Sequence, residues 1–96
     1  MRRVVGVNFD HMHMGDLLRE VREHPGAEVV AVADRDMGRM RPVLGRLGLP
    51  ETLATTDVAA ALASRPDMVI LCPATADHAR AVEEVAPLAP GATILM

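Results

Sequence analysis

Asp67–Cys72 reads Asp-Met-Val-Ile-Leu-Cys, an apolar run opened by Pro66 and closed by Pro73. A strand without polar alternation has no face to offer water. It is stable only in a sheet covered on both sides, which is the setting of parallel strands. Arg3–Phe9 (Arg-Val-Val-Gly-Val-Asn-Phe) and Glu28–Ala33 (Glu-Val-Val-Ala-Val-Ala) have the same character. Between those two, Met14, Leu17, Leu18 and Val21 recur at the spacing of one helical face, with Arg19, Glu20, Arg22 and Glu23 off it. The helix is expected to stop at His24-Pro25-Gly26, because a residue before proline avoids the helical region and glycine supplies a turn. Strand, helix and strand fit within the ~30 residues of a crossover between parallel strands.

The pattern repeats downstream. Met37, Met40, Leu44 and Leu47 predict a second helix ended by Gly48 and Pro50. Pro42 within it predicts a kink or a start nearby, since proline removes a hydrogen bond. Glu51–Thr55 reads as a short strand, and Thr56 or Asp57 as the cap of a brief helix reaching Ala63. After Asp67–Cys72, Thr75 is the expected cap of a helix whose Ala79, Val82 and Ala86 share a face. Pro90-Gly91 then turns the chain into the β run Thr93–Met96. This alternation predicts the α/β class: a doubly wound, open parallel sheet with helices on both faces, three layers in all. The 96 residues suffice for one such domain, 1–96. No polar tail follows the last apolar run, so the expectation is a domain belonging to a longer chain.

Composition narrows the function classes. Half the residues are hydrophobic and 24% are charged, which excludes a disordered tail. The formal net charge of −3 supplies no basic footprint, so neither nucleic acid nor an anionic membrane is an expected partner. The apolar run behind Met1-Arg2-Arg3 is broken at Asn8 and Asp10, too early for a secretory leader, and no stretch reaches the ~18 apolar residues of a membrane span. The single cysteine, Cys72, allows no internal disulfide and fits a reducing cytoplasm. All ten basic residues are arginine, so no lysine of this chain takes part in any chemistry.

In a doubly wound sheet, ligands sit outside the carboxyl ends of the strands. The segments to examine are therefore Asp10–Gly15, Asp34-Arg35 and Cys72–His78. A dinucleotide-binding chain carries Gly-x-Gly-x-x-Gly in the first position, so that backbone amides approach a pyrophosphate closely. Here the loop is Asp10-His11-Met12-His13-Met14-Gly15, with only Gly15 at a glycine position and a negative charge at Asp10. The helix start behind it still offers amides to an anion.

Asp34 ends the second strand 25 positions after Phe9, near the ~20-residue offset of a ribose-binding carboxylate. Such a carboxylate accepts ribose hydroxyls and repels a 2′-phosphate, which favours NAD over NADP, with Arg35 next door offsetting the repulsion. The competing reading is an exposed aspartate that caps the next helix together with Asp36. Pro73, Thr75 and His78 place a turn, a capping hydroxyl and a histidine at the mouth of the neighbouring strand, and Cys72 before them reads as an inert small hydrophobe. His78, at about the third helical position, is placed to hydrogen-bond a cofactor or substrate, against the plainer reading of a polar residue facing solvent. His11 and His13, with Asp10 or His78, raise a metal reading, but no recognised zinc spacing supports it.

The succession Val4-Val5-Gly6-Val7, Val29–Arg35 and Asp67–His78 resembles the N-terminal domain of the Gfo/Idh/MocA oxidoreductases over essentially all 96 residues. The resemblance implies a Rossmann-type domain binding NAD or NADP, within an enzyme that moves hydride to or from a sugar, cyclitol or related alcohol. It implies that Asp34 and Arg35 select the adenosine ribose. It also implies that Asp10, His11, Met12, Cys72, Pro73, Thr75 and His78 border the cofactor crevice. The family's Glu-Lys-Pro motif and its substrate domain are not in these residues, so no catalytic residue is expected among them. The small-molecule substrate would belong to a fuller protein, and self-association into a homo-oligomer stays open. The alternative is a non-catalytic binding module that keeps the fold and has lost the glycine loop.

Overall fold

The computed structural model describes residues 1–9, 13–72 and 77–95. Five strands, β1 (Arg2–Val7), β2 (Ala27–Ala33), β3 (Ala54–Thr55), β4 (Met68–Leu71) and β5 (Thr93–Leu95), form one sheet in the order β3-β2-β1-β4-β5. Every pairing is parallel. The helices are α1 (His13–Glu23), α2 (Met37–Leu47), α3 (Val58–Leu62) and α4 (His78–Val85). This is the doubly wound, Rossmann-like arrangement expected from the sequence.

The two faces of the sheet bury separate cores. Met14 and Leu18 of α1 and Met40, Leu44 and Leu47 of α2 pack on Val4, Val32 and Ile70. Ala61 and Leu62 of α3 and Ala81 and Val85 of α4 pack on Val5, Val7, Val69 and Leu71. Neighbouring strand residues thus serve opposite layers, which is why Val4–Val7 of β1 and the whole of β4 carry no polar position. The β1–β2 register slips between Val4 and Val5, where Val29 is followed by Ala31 as the next partner. The extra residue, Val30, joins Ala31 against the α3–α4 layer.

Local chemistry sets the element ends. Asp36 caps α2 by accepting from Gly38 N–H at 2.8 Å. Gly48 closes the same helix at φ 69°, the left-handed conformation that glycine adopts without strain. Asp57, of the two candidate caps, accepts from Ala60 N–H and starts α3. Pro42 neither delays nor ends α2. The helix forgoes one hydrogen bond there and keeps its buried stripe.

Three expectations are corrected. Glu51–Leu53 is a 3-10 turn after Pro50, so only Ala54–Thr55 pairs with β2. In α4 the inward residues are Ala81 and Val85, continued by Ala89, and not Ala79 and Ala86, which are exposed. Alanine is at home on either face, so an alanine-rich segment gives periodicity little to work with. The first strand stops at Val7, because Asn8 at φ 70° breaks the extended backbone.

Gly6 lies in the central strand directly beneath α1. A Cβ there would come within 3.0 Å of Met14 Sδ and 3.3 Å of Leu18 Cδ2. The absence of a side chain is what lets the helix lie this close. Gly6→Val should therefore destabilise the domain by about 1–3 kcal/mol, the usual range for overpacking. In a domain of this size that corresponds to a loss of about 4–8 °C in Tm per kcal/mol. Thermal unfolding followed by circular dichroism measures it, and an unchanged midpoint would show that α1 can lift without loss.

Candidate functional site at the carboxyl edge of the sheet

β1 stands between β2 and β4, with α1 and α2 on one face and α3 and α4 on the other. Such a reversal of winding opens a crevice beyond the carboxyl ends of the central strands. Its first wall is the turn after β1. Asn8 takes the left-handed conformation at φ 70°, which asparagine tolerates better than other residues with a side chain. Its N–H donates to Ala33 O at 2.8 Å, and the turn then delivers Phe9 N–H to Asp34 Oδ1 at 2.8 Å.

Asp34 holds the edge together. Its side chain is 1% exposed, and it is the sole buried polar residue among the described residues. Oδ1 accepts from Phe9 N–H, and Oδ2 accepts from Asp36 N–H at 2.9 Å. Arg39 Nη1 lies 4.0 Å from Oδ2, its side chain 45% exposed. Asp34 is therefore no exposed cap, a role that falls to Asp36 alone. Arg35, next along, is exposed.

Two cavities are lined by residues next to this carboxylate, though not by Asp34 itself. One of about 170 Å³ is lined by Asn8, Arg35, Val58, Asp77, Arg80 and Glu84, between the ends of β1 and β2 and the start of α4. The other, about 420 Å³, runs between α1 and α2, with Phe9, Asp16, Arg19, Arg39 and Arg46 in its wall. The edge thus offers guanidinium groups on both sides of a buried acid. Among the described residues no three metal-ligating side chains converge.

The remaining sequence-derived candidates divide. Asp10, His11, Met12, Pro73 and Thr75 lie outside the described residues. Cys72 is buried in the α1–α2 layer and donates its N–H to Val7 O at 3.1 Å. Burial pushes its thiol up from the ordinary value. His78 is exposed and is the first residue of α4, not the third, with Asp77 at the cap position making no side-chain cap bond. His13 is exposed at the start of α1.

Two residues escaped the sequence reading. Asn8 carried a signal, because asparagine after a buried strand is the substitute for glycine at a left-handed turn. Arg39 carried none. Its approach to Asp34 depends on the direction in which α2 leaves the sheet.

No family model matches the chain, and no curated protein matches it in sequence. Solved structures do. UDP-N-acetylglucosamine 3-dehydrogenase GnnA from Acidithiobacillus ferrooxidans is 25% identical, with a TM-score of 0.69, over 97% of this chain and 27% of that one. The WlbA dehydrogenase from Bordetella pertussis, solved with NADH and UDP-GlcNAcA, is 18% identical, with a TM-score of 0.71, over 96% of this chain and 27% of that one. Prephenate dehydrogenase from A. aeolicus, solved with NAD+, is 16% identical, with a TM-score of 0.79, over 98% and 32%. A myo-inositol 2-dehydrogenase is also similar. The chain spans about a quarter to a third of the length of these structures. It shares their Rossmann-type fold over that part, in agreement with the Gfo/Idh/MocA resemblance.

The geometry makes two predictions. Asn8→Val should destabilise the domain by about 1–2 kcal/mol, the penalty for a side chain forced left-handed, whereas Asn8→Gly should leave it close to unchanged. Urea midpoints separate the two, and equal losses would show that the Asn8 side chain matters more than its backbone. The Cys72 thiol should react with iodoacetamide at pH 8 about tenfold or more slowly than a free cysteine, because burial suppresses both thiolate and access. Full reactivity should return in denaturant, and rapid labelling of the folded chain would contradict the burial.

Proposed function

We propose that this chain is the nicotinamide-dinucleotide-binding domain of an oxidoreductase of the Gfo/Idh/MocA type, acting in the cytoplasm on a sugar, cyclitol or related alcohol. The observation that carries the reading is Asp34 at the end of β2, fixed by the Phe9 amide beside a glycine-like turn. Each carboxylate oxygen has two lone pairs and spends one on a backbone amide, so acceptor capacity is left for the adenosine ribose hydroxyls. Arg35 and Arg80 line the smaller cavity at the same edge, with Asp77 and Glu84 opposite in charge, and the two guanidinium groups supply the donors a diphosphate would take. The start of α1 directs its dipole towards that edge.

The bound dinucleotide would supply the hydride-transfer chemistry. The chain's residues would bind and orient it: Asp34 the ribose, Arg35 the anionic part, and the Asp10–Met12 and Pro73–His78 segments the crevice between. NAD is the preferred form on this reading, because Asp34 suits two ribose hydroxyls. Turnover needs a positioned proton donor or acceptor beside the substrate carbon. No residue here is assigned that role, so the 96 residues alone should bind cofactor without oxidising a sugar.

A second reading rests on Asp34 itself. A buried carboxylate with both oxygens on main-chain amides has a sufficient structural purpose, and a module without the glycine loop would keep it for that reason. Titration with NADH, followed by fluorescence or heat, separates the two. Cofactor binding predicts saturation with a Kd of about 1 mM or tighter, weakened about tenfold by Arg35→Glu, which reverses an exposed charge without touching the core. No saturation at millimolar NADH would leave the binding module as the reading that survives.

A further inference from the structure

We infer that the uncovered half of the sheet, over β4 and β5 on the α1 side, docks a second copy of this chain about a two-fold axis running along the strands. The direction of winding leaves this half bare. Crossovers that step from β1 towards β3 place α1 and α2 on one face, and those that return towards β5 place α3 and α4 on the other. Because such crossovers are right-handed, a further one stepping past β5 in the same direction would also fall on the α3–α4 face. What results is a groove of about 280 Å³, with Leu17 and Val21 of α1 as its wall and Val4, Met68, Ile70 and Leu95 as its floor. Leu95 is 43% exposed, and β5 has no neighbour on its outer edge among the described strands. Arg2, Gly26 and Ala27 mark the groove as lying at the amino half of the sheet, so it shares no residue with the candidate cofactor site.

Shape and charge identify the occupant. α1 stands over the sheet as a step one helix high, ~10–12 Å, and two sheets pack face to face at ~10 Å. The layer that fills such a step is another sheet, and a second copy brings one with the same step. A two-fold axis parallel to the strands seats the bare half of each copy on that of the other, whereas an axis across the strands would drive α1 into the partner's sheet. Each β5, with its Leu95, then lies against Leu17 and Val21 of the other copy. A two-fold interface sets one patch against itself, so a patch with a net charge repels its own copy. This groove carries one formal charge of each sign, Arg2 and Glu20. His24, also in its lining, is tied to its own turn, where Gly26 N–H donates to Nδ1 at 3.1 Å. The cavity between α1 and α2, with three arginines against one carboxylate, would by contrast oppose its own copy.

Sedimentation equilibrium of the 96-residue chain is the test. A patch two strands wide is at the small end of specific interfaces, so the expected Kd is on the order of 100 μM, with monomer at about 1 μM and mostly dimer at about 1 mM. Leu95→Asp places a charge in the interface and should weaken association about tenfold or more, with circular dichroism and Tm unchanged because the side chain is exposed in the monomer. Leu88→Asp, at a leucine equally exposed beyond α4, should leave association within about twofold. With Cys72 buried, mild oxidation of an equimolar mixture of Val21→Cys and Leu95→Cys chains should give a disulfide-linked dimer that neither variant gives alone. A monomer throughout the concentration range would overturn the stacked dimer, and so would equal losses in the two aspartate variants or a mixture that stays unlinked. A cross-link in Leu95→Cys alone would overturn it in favour of edge-to-edge pairing of β5.

Discussion

Taking a carboxylate out of water costs several kcal/mol, and the cost is offset only when donors reach its oxygens. At Asp34 those donors are main-chain: Phe9 N–H on one oxygen and Asp36 N–H on the other. Each bond to a charged acceptor contributes about 1.5–3 kcal/mol. The pair fixes three pieces of chain at once: the turn after β1, the end of β2 and the residue that caps α2. Without it two amides would lose their partners at the spot where the sheet stops covering them. The positions of Arg35 and Arg39 follow from this anchor, because both leave a backbone whose path Asp34 determines.

Much of the architecture was legible because buried parallel strands leave a blunt signature. The runs in β1, β2 and β4 could belong to no half-exposed sheet, and the stripes Met14–Val21 and Met37–Leu47 fixed α1 and α2 with their glycine and proline ends. Legibility fell where side chains are small or pairing is brief. In α4 two alanines, Ala79 and Ala81, stood where either face was open to them, and packing against Val7 and Leu71 chose Ala81 and Val85. In β3 a two-residue pairing at the sheet edge is below what alternation can register, and Pro50 diverted the residues before it into a tight turn.

At the site the sequence located Asp34 by its offset and left its surroundings undecided. An acid after a strand looks the same whether it caps, binds or braces. That it braces the edge and is no exposed cap came from three-dimensional facts, above all the left-handed turn at Asn8 that carries the Phe9 amide across to it. The missing glycines read as degeneracy in the loop. Part of that loss is made good by Asn8, which supplies the tight turn with a side chain attached. Charge shows a similar gap between composition and placement. A chain with net charge −3 gives no hint that arginines gather at this edge, yet Arg35 and Arg80 line one cavity there, with Asp77 and Glu84, and Arg19, Arg39 and Arg46 the other, with Asp16.

The division between fold and chemistry is plain in the neighbours. One arrangement of five parallel strands superposes on dehydrogenases named for a nucleotide sugar and for prephenate, at TM-scores of 0.69 and 0.79. The better superposition belongs to the lower identity, so backbone likeness ranks the shape and not the reaction. What the sheet can impose is the end of the ligand that lies over the β1–β2 edge, because that edge is built from main-chain bonds around one acid. With no lysine in the sequence, any step that calls for a lysine side chain draws on none from these residues, whereas on the proposed reading the arginines and the carboxylate present would recognise the nucleotide end. On the proposed reading, specificity for the dinucleotide and specificity for the substrate would be separable, the first resting on Asp34 and the two arginine-lined cavities near it.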